Sequence, residues 1–95
     1  MNVKQELVKI LEEHETTIAC AVVNLANWDD DSVTTIVLDA DYDLEQYFSL
    51  LSQLDFNPDS DPLALELDSQ IFLENGCSLS VIDNGKVFWQ YNTGR

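Results

Sequence analysis

Two Asn-Gly pairs near the C-terminus constrain the fold of this chain more than any other feature of its sequence. Asn75-Gly76 and Asn84-Gly85 lie nine residues apart, and strand-like residues flank both pairs in the segment QIFLENGCSLSVIDNGKVFWQYN. Asn-Gly is the strongest short signal for a two-residue hairpin turn, because both central residues of a type I′ turn need a positive φ angle. The sequence therefore predicts three consecutive antiparallel strands, a β-meander, at this end of the chain.

Two-residue turns also fix which residues face each other across the meander. The predicted facing pairs are Phe72 with Leu79, Ile71 with Ser80, Ser80 with Trp89, Val81 with Phe88, Ile82 with Val87 and Asp83 with Lys86. Because strand side chains alternate between faces, one face is predicted to be core and to carry Phe72, Leu79, Val81 and Phe88. The second face then carries Ile71, Leu73, Ser78, Ser80, Ile82, Val87, Trp89 and Tyr91.

Trp89 and Tyr91 on this second face have two interpretations. Either the two rings pack beneath the first helix, or they form an aromatic contact patch for a partner. The serines beside them fit a face that is half covered by a helix or partly open to solvent.

Two helices and two further strands are predicted before the meander. Residues 3–14 repeat apolar side chains at helical spacing, with Asn2 as the N-cap and Gln5 in the capping-box position. The segments 16–26 and 33–39 are rich in β-branched residues, so they are predicted as strands, and NWDDDS forms the turn between them.

Asp43 is the predicted N-cap of a second helix, with Gln46 in the matching capping-box position. Residues 55–68 are predicted as a loop, because Pro58 and Pro62 interrupt regular structure. The predicted buried stripe of the second helix consists of Leu44, Tyr47, Phe48, Leu51 and Leu54.

The resulting order α-β-β-α-β-β-β predicts the α+β class, with two helices on a mainly antiparallel sheet of about five strands. The 95 residues are enough for one modest core, so residues 1–95 are predicted as a single domain. No apolar run approaches the roughly 20 residues that span a membrane, and no secretory signal is recognised at the N-terminus. Cys20 and Cys77 have no paired spacing, which favours buried, reduced thiols in a cytoplasmic protein.

Charge is the property that sets this chain apart. The sequence has 18 acidic and 4 basic residues, giving a net charge of −14. No lysine or arginine occurs from Ile10 to Gly85, and this interval holds 17 of the carboxylates. Self-repulsion of one sign destabilises a compact state, so two interpretations arise: a solubilising surface, or a surface shaped for a cationic partner.

Three acidic clusters are distinguished. Clusters one and two lie at opposite ends of the second predicted strand, whereas cluster three, after the second helix, can rejoin cluster one. Alternate residues of an extended chain are roughly 6.6 Å apart, a spacing similar to that of phosphates. Cluster one is Asp29, Asp30 and Asp31, beside Trp28; cluster two is Asp39, Asp41, Asp43 and Glu45; cluster three is Asp55, Asp59 and Asp61.

The residues of cluster three, together with Asn57 and Glu66, also have the ligand spacing of a twelve-residue calcium loop. Such a loop needs glycine at its sixth position, where this chain has Ser60, and an apolar residue that pairs through its N–H at the eighth, where it has Pro62. The loop is therefore interpreted as an acidic cluster. No metal or other cofactor is predicted.

Signatures of catalysis are missing from the sequence. It has one histidine, His14, and no phosphate-binding loop, dinucleotide fingerprint or nucleophile elbow. The chain is therefore predicted not to be an enzyme. Direct binding of nucleic acid is also opposed, because phosphate contacts come from lysine and arginine.

A small acidic α+β domain with a leading helix, short antiparallel strands and Asp/Glu clusters resembles the phage-encoded anti-CRISPR proteins and other nucleic-acid-mimic inhibitors. The resemblance is one of composition and layout over the whole chain, not of a motif. It implies an inhibitor in the cytoplasm of a bacterium or of a phage-infected host, bound to a protein partner with a basic, nucleic-acid-binding surface. The predicted contact residues are Trp28, Trp89, Tyr91 and the members of the three clusters.

Two alternatives stay open. The chain is an immunity protein or antitoxin that neutralises a basic toxin, or it is an adaptor subunit whose acidity only keeps it in solution. The sequence leaves the identity of the partner and any homo-oligomeric state undetermined.

Overall fold

The computed structural model describes residues 2–83 and 87–93, with the backbone but not the side chains of Val87 and Phe88. Two helices and a mainly antiparallel sheet of six strands confirm the predicted α+β class, with one strand more than expected. The elements are α1 (Val3–Glu13), β1 (Ile18–Asn27), β2 (Ser32–Leu38), α2 (Leu44–Gln53), β3 (Leu63–Leu65), β4 (Gln70–Leu73), β5 (Ser78–Asp83) and β6 (Val87–Asn92).

Both helices begin at the predicted caps. The side chain of Asn2 accepts the backbone N–H of Gln5 at 3.1 Å and starts α1. Asp43 and Gln46 form a complete capping box at the start of α2, in which the side chain of each accepts the backbone N–H of the other. These caps are local interactions that satisfy N–H groups with no partner inside the helix, so the sequence predicted both correctly.

The strands run in the order β2-β1-β4-β5-β6, and β3 pairs with β1 beside β4. β4 pairs with the first half of β1, whereas β3 pairs with residues Leu25 to Asn27 at its end. Ser69 lies between the two short strands and is fully buried. Its hydroxyl accepts the N–H of Asn24 at 2.9 Å and donates to the Asn24 carbonyl at 3.2 Å, so one side chain completes the ladder where no strand is present.

The prediction that 55–68 is entirely loop is wrong, because β3 lies within it. Leu65 is buried and Leu63 is half-buried against the core, so three residues are enough to add apolar surface to it. Pro62 precedes the strand and accepts the N–H of Trp28 at 2.8 Å through its carbonyl. A proline at the start of a strand is compatible with pairing, since its missing N–H is not needed there.

The first turn of the meander is one residue longer than predicted. The N–H of Gly76 donates to the Leu73 carbonyl at 3.1 Å, and the N–H of Leu73 donates to the Cys77 carbonyl at 2.9 Å. Glu74, Asn75 and Gly76 therefore form a three-residue loop, in which Gly76 takes the left-handed conformation at φ 86°. Only the second residue of this Asn-Gly pair has a positive φ.

The added residue shifts the pairing by one position and reverses the face on which the neighbouring strand places its side chains. Ile71 pairs with Leu79, and Phe72 pairs with Ser78. Phe72, predicted as core, is consequently 45% exposed, whereas Ile71 and Leu73, predicted on the second face, are buried.

The second hairpin shows the same shift. Asp83 pairs with Val87 and Val81 pairs with Trp89, one residue away from the predicted partner in each case. Trp89 therefore lies on the core face with Val81. The predictions for the Asn84-Gly85 turn and for the pairing of Lys86 lie outside the described residues. The predicted core position of Phe88 lies outside them as well, because the side chains of Val87 and Phe88 are not described.

The buried stripe of α2 is rotated from the predicted one. Leu51 and Leu54 are buried as predicted, but Leu44 and Phe48 are 71% and 60% exposed, and Leu50 is buried in their place. The helix lies close to the edge strand β2. At an edge the sheet is too narrow to cover both sides of an apolar helix, so part of its apolar surface stays in solvent.

The helices cover one face of the sheet and leave the other open. Neither helix, over the described residues, is long and apolar enough to cross a membrane. The core on the covered face includes Ala21, Val23, Leu25, Leu38, Leu65, Ile71, Leu73, Leu79, Val81 and Trp89 from the sheet, with Val3, Leu7, Leu11, Leu50, Leu51 and Leu54 from the helices.

Candidate partner-binding surfaces

Clusters one and three meet at one end of the sheet. The hydrogen bond from the Trp28 N–H to the Pro62 carbonyl joins the turn after β1 to the segment before β3. The residues that follow and precede this bond are Asp29 and Asp61, so the two clusters are neighbours. Trp28 itself is 74% exposed between them. We refer to Trp28, Asp29, Asp30, Asp31, Asp59 and Asp61 as the acidic end.

The turn that carries cluster one is held by short polar contacts. The side chain of Asn27 accepts the N–H of Asp29 at 2.9 Å, and the carboxylate of Asp30 accepts the N–H of Ser32 at 3.0 Å. Asp31 takes a left-handed φ of 56°, a conformation that aspartate tolerates better than most residues. Hydrogen bonds from the side chain and the backbone of Ser32 lower the pKa of Asp30, so its charge is retained in mild acid.

Cluster three is divided in the structure. Asp61 accepts the N–H of Asn57 at 2.8 Å, and Asn57 in turn accepts the N–H of Asp59 at 2.9 Å, so these residues form one compact turn at the acidic end. Asp55 instead accepts the side-chain amide of Asn2 at 2.8 Å, at the start of α1. Asp55 therefore supports the helix and is not part of the acidic end.

Residues at the calcium-loop positions take part in turn, helix-start and strand contacts. Within the described residues, no three histidine, cysteine, aspartate or glutamate side chains are grouped so that they could hold a metal ion. Glu66, the last position of the calcium pattern, directs its backbone N–H to the Asn24 carbonyl and continues the pairing of β3 with β1.

Cluster two lies at the other end of β2, as the sequence predicted. Six residue steps separate Ser32 from Leu38, so about 20 Å of strand lies between this cluster and the acidic end. Asp43 is committed to the capping box of α2, and Glu45 lies in the first turn of that helix, where a negative charge is favourable. Asp39 and Asp41 are exposed in the connection.

Trp89 follows the first of its two interpretations, in which it packs beneath the first helix. It is 4% exposed, and its indole N–H donates to the Val3 carbonyl of α1 at 3.3 Å. A partner could reach it only by displacing α1, so Trp89 is not retained as a contact residue.

Tyr91 lies beside Trp89 at the margin of the covered face and is half-buried. Its ring stacks on His14 with centroids 3.7 Å apart and planes within 2°. Its hydroxyl accepts the side-chain amide of Asn75 at 3.1 Å, and hydrogen bonding to the Cys77 thiol raises the pKa of Tyr91. These contacts hold the end of β6 against the first turn of the meander.

The open face of the sheet carries an apolar group that the sequence analysis missed. Val22 and Val37 form one facing pair across β1 and β2, and Cys20 and Phe72 form another across β1 and β4. All except half-buried Cys20 are exposed, and with Asp39 they line a shallow hollow. The alternation of β1 contained this signal, but the predicted register of β4 placed Phe72 in the core and concealed it. Cys20 and Cys77 are both free and half-buried, not fully buried as predicted.

A scan against protein-family models, a search of curated proteins and a search of solved structures found no match to this chain.

Proposed function

We propose that this protein is a small acidic inhibitor that binds the basic, nucleic-acid-binding surface of a protein partner in place of the nucleic acid. The observation that supports this best is the acidic end, where an exposed tryptophan lies between two carboxylate clusters joined by the Trp28–Pro62 hydrogen bond. Exposed tryptophans are rare in solvated surfaces and are enriched at the centres of protein interfaces.

The chemistry of the acidic end suits a cationic surface. Carboxylates accept charge-assisted hydrogen bonds from arginine and lysine, as phosphates do. An indole face adds attraction for a guanidinium group placed over it, much as a stacked base does in a nucleic-acid complex. Asp29, Asp30 and Asp31 are exposed, so they can meet such groups without first losing a contact in the core.

The charge of the whole chain favours fast association with such a partner. A net charge of −14 creates a field that attracts a basic surface at a distance, and salt screens this attraction within about 8 Å at physiological ionic strength. The same field repels nucleic acid. Direct binding of DNA or RNA by this protein is therefore not part of the proposal.

The test is capture from a lysate of the native host with the immobilised protein, followed by elution with a DNA or RNA oligonucleotide. The proposal expects a basic nucleic-acid-binding protein, released by the oligonucleotide and by moderate salt. Asp29, Asp30 and Asp31 changed together to asparagine should weaken capture strongly, because asparagine keeps the turn contacts and removes only the charge.

A matched control removes three charges elsewhere. Glu12, Glu13 and Glu15 are exposed near the end of α1, and changing them to glutamine gives the same net charge as the triple asparagine variant. Equal loss of capture in both variants would show that only total charge matters and would contradict a role for the acidic end.

The captured protein also separates the alternatives. A toxin without nucleic-acid-binding activity, neutralised on capture, would identify an immunity protein instead. A partner held equally well at high salt, and not displaced by an oligonucleotide, would identify an adaptor and refute charge mimicry.

A further inference from the structure

The outer edge of β2 is an unoccupied place in the sheet. Among the described residues, β2 (Ser32–Leu38) pairs with β1 alone and ends the strand order on its side. The edge strand contains no lysine or proline, and five of its seven residues are β-branched. Natural edge strands are usually protected from further pairing by such residues or by a covering element. Within the described part of the chain, Ser32 to Thr35 and Val37 are exposed, so the β2 edge is accessible over most of its length.

Hydrogen bonds made by β1 show which backbone groups of β2 point outward. Successive residues of a strand direct their N–H and C=O groups to opposite edges. Asn24 bonds to Glu66 and Ser69 through its backbone. Trp28 directs its N–H to Pro62. At this end of β1, the backbone N–H and C=O groups of even-numbered residues therefore point toward β3. Those of odd-numbered residues point toward β2.

The inward-facing groups of β2 follow from the register. Leu25 pairs with Thr34, and Val23 pairs with Ile36. Thr34 and Ile36 therefore use their backbone groups within the sheet. The outward backbone groups of the β2 edge are those of Val33, Thr35 and Val37.

The side chains at these positions are accessible as well. Val33 and Val37 are 57% and 52% exposed on the open face, on either side of Thr35, whose hydroxyl donates to the Asn24 side chain at 2.6 Å. Val37 also borders the hollow that contains Phe72 and Val22. A strand added along the β2 edge would thus pair with its outward backbone groups and contact the apolar side chains beside them.

Charge at both ends of β2 decides what can occupy this edge. Cluster one precedes the strand and cluster two follows it. Antiparallel pairing with a second copy would place cluster one of each chain near cluster two of the other, and like charges repel. A segment with cations at both ends, about 20 Å apart, would instead match both clusters.

We propose that the β2 edge binds an extended segment of a protein partner by strand addition, with basic residues at both ends of the segment and apolar residues at alternate positions between them. This inference rests on the proposed function, since it names the part of the basic partner that the protein takes. Main-chain hydrogen bonds supply affinity in this mode, and alternate side chains with the terminal charges supply selectivity.

The probe is a synthetic peptide with about seven alternating valine and threonine residues between two pairs of lysines, a length that spans about 20 Å. The control peptide has the same sequence with N-methyl groups on two successive central residues, which removes one donor from each edge. NMR of the whole protein should show slower amide exchange at Val33, Thr35 and Val37 with the first peptide and not with the second.

A pair of protein variants tests the same edge. Val33→Pro removes an outward N–H that the sheet does not use, whereas Val33→Ala shortens the side chain and keeps the N–H. The proline variant is expected to bind about tenfold more weakly than the alanine variant, with circular dichroism confirming that both are folded. The peptide comparison needs no variant, so it holds even if Val33→Pro fails to fold.

Each other outcome overturns the inference. Equal binding of both peptides, with NMR shifts confined to the acidic clusters, would refute strand addition and leave the proposed function intact. Absence of any change at the three amides would exclude this edge as a binding site. Slow exchange that grows with protein concentration in the absence of peptide would assign the edge to a second copy of the chain.

Discussion

Ser69→Ala is the substitution whose effect follows most directly from this structure. Ser69 is fully buried in the gap between β3 and β4, and its hydroxyl makes two hydrogen bonds with the backbone of Asn24. Alanine fills almost the same space, so no steric change is introduced. The substitution removes the hydroxyl and leaves the Asn24 N–H inside the protein without its partner.

The cost can be estimated from these two bonds. A net intramolecular hydrogen bond contributes about 1 kcal/mol, and a buried donor left unpaired costs about 1–3 kcal/mol. We therefore expect Ser69→Ala to lower the free energy of unfolding by about 2 kcal/mol. For a domain of this size, that loss lowers the midpoint of thermal unfolding by roughly 10 °C.

Urea unfolding followed by circular dichroism measures this loss, and Ser60→Ala is the matched control. Ser60 is exposed in the turn of cluster three, and its backbone N–H, which alanine keeps, donates to the Asn57 carbonyl. The control should stay within about 0.5 kcal/mol of the parent, as surface substitutions usually do. The same small change in the free energy of unfolding for Ser69→Ala, with an unchanged slope against urea concentration, would refute the role of this hydroxyl. It would then not be the group that links β1 to the gap between β3 and β4.

Three further predictions concern the acidic surfaces. In Trp89→Phe, the fluorescence of Trp28, which is 74% exposed, should be quenched by caesium more than by iodide, because carboxylates surround it; equal quenching by both ions would contradict the acidic end. Calorimetric titration with calcium should show only weak, diffuse binding, and a stoichiometric site abolished by Glu66→Gln would overturn this. Ser32→Ala should raise the pKa of Asp30 toward 3.8 in a ¹³C NMR titration, because Ser32 hydrogen bonds lower it; the matching contribution to stability is complete above that pH and is lost as the pH falls through the lowered pKa.

Local signals were sufficient wherever a feature depends on neighbours in the sequence. Asn2 and Asp43 cap their helices as predicted, because an N-cap is completed within three residues. The meander and the α+β class also follow from patterns a few residues long. The acidic end was partly predicted as well, since cluster three was expected to be able to rejoin cluster one.

Register could not be predicted in the same way. A two-residue and a three-residue loop both use Asn-Gly, and they differ by one residue in pairing. A shift of one residue in pairing decided the face of Phe72 in the first hairpin and of Trp89 in the second. Nothing within QIFLENGCSLS distinguishes the two loops, because the choice is made by the core that Ile71 and Leu73 enter.

Pairing with a distant strand was equally invisible to local patterns. β3 is three residues long and lies next to a proline, so it has almost no strand signal of its own. It forms because β4 leaves the last residues of β1 without a partner on that side. The same pairing brings Pro62 to Trp28, and the acidic end is a consequence of it.

The order of the strands in the sheet places two of the acidic clusters at the two ends of the edge strand β2. An unprotected edge strand invites pairing with another copy, and β2 is flanked by cluster one at its start and by cluster two at its end. Carboxylates placed there disfavour self-pairing without blocking the edge itself. Lysines at the same positions would oppose self-pairing equally well, but they would also repel a basic partner. Under the proposed function, the negative sign also attracts a cationic segment. Neutralising both clusters together should promote self-association through β2, and an unchanged oligomeric state would contradict this role of the carboxylates.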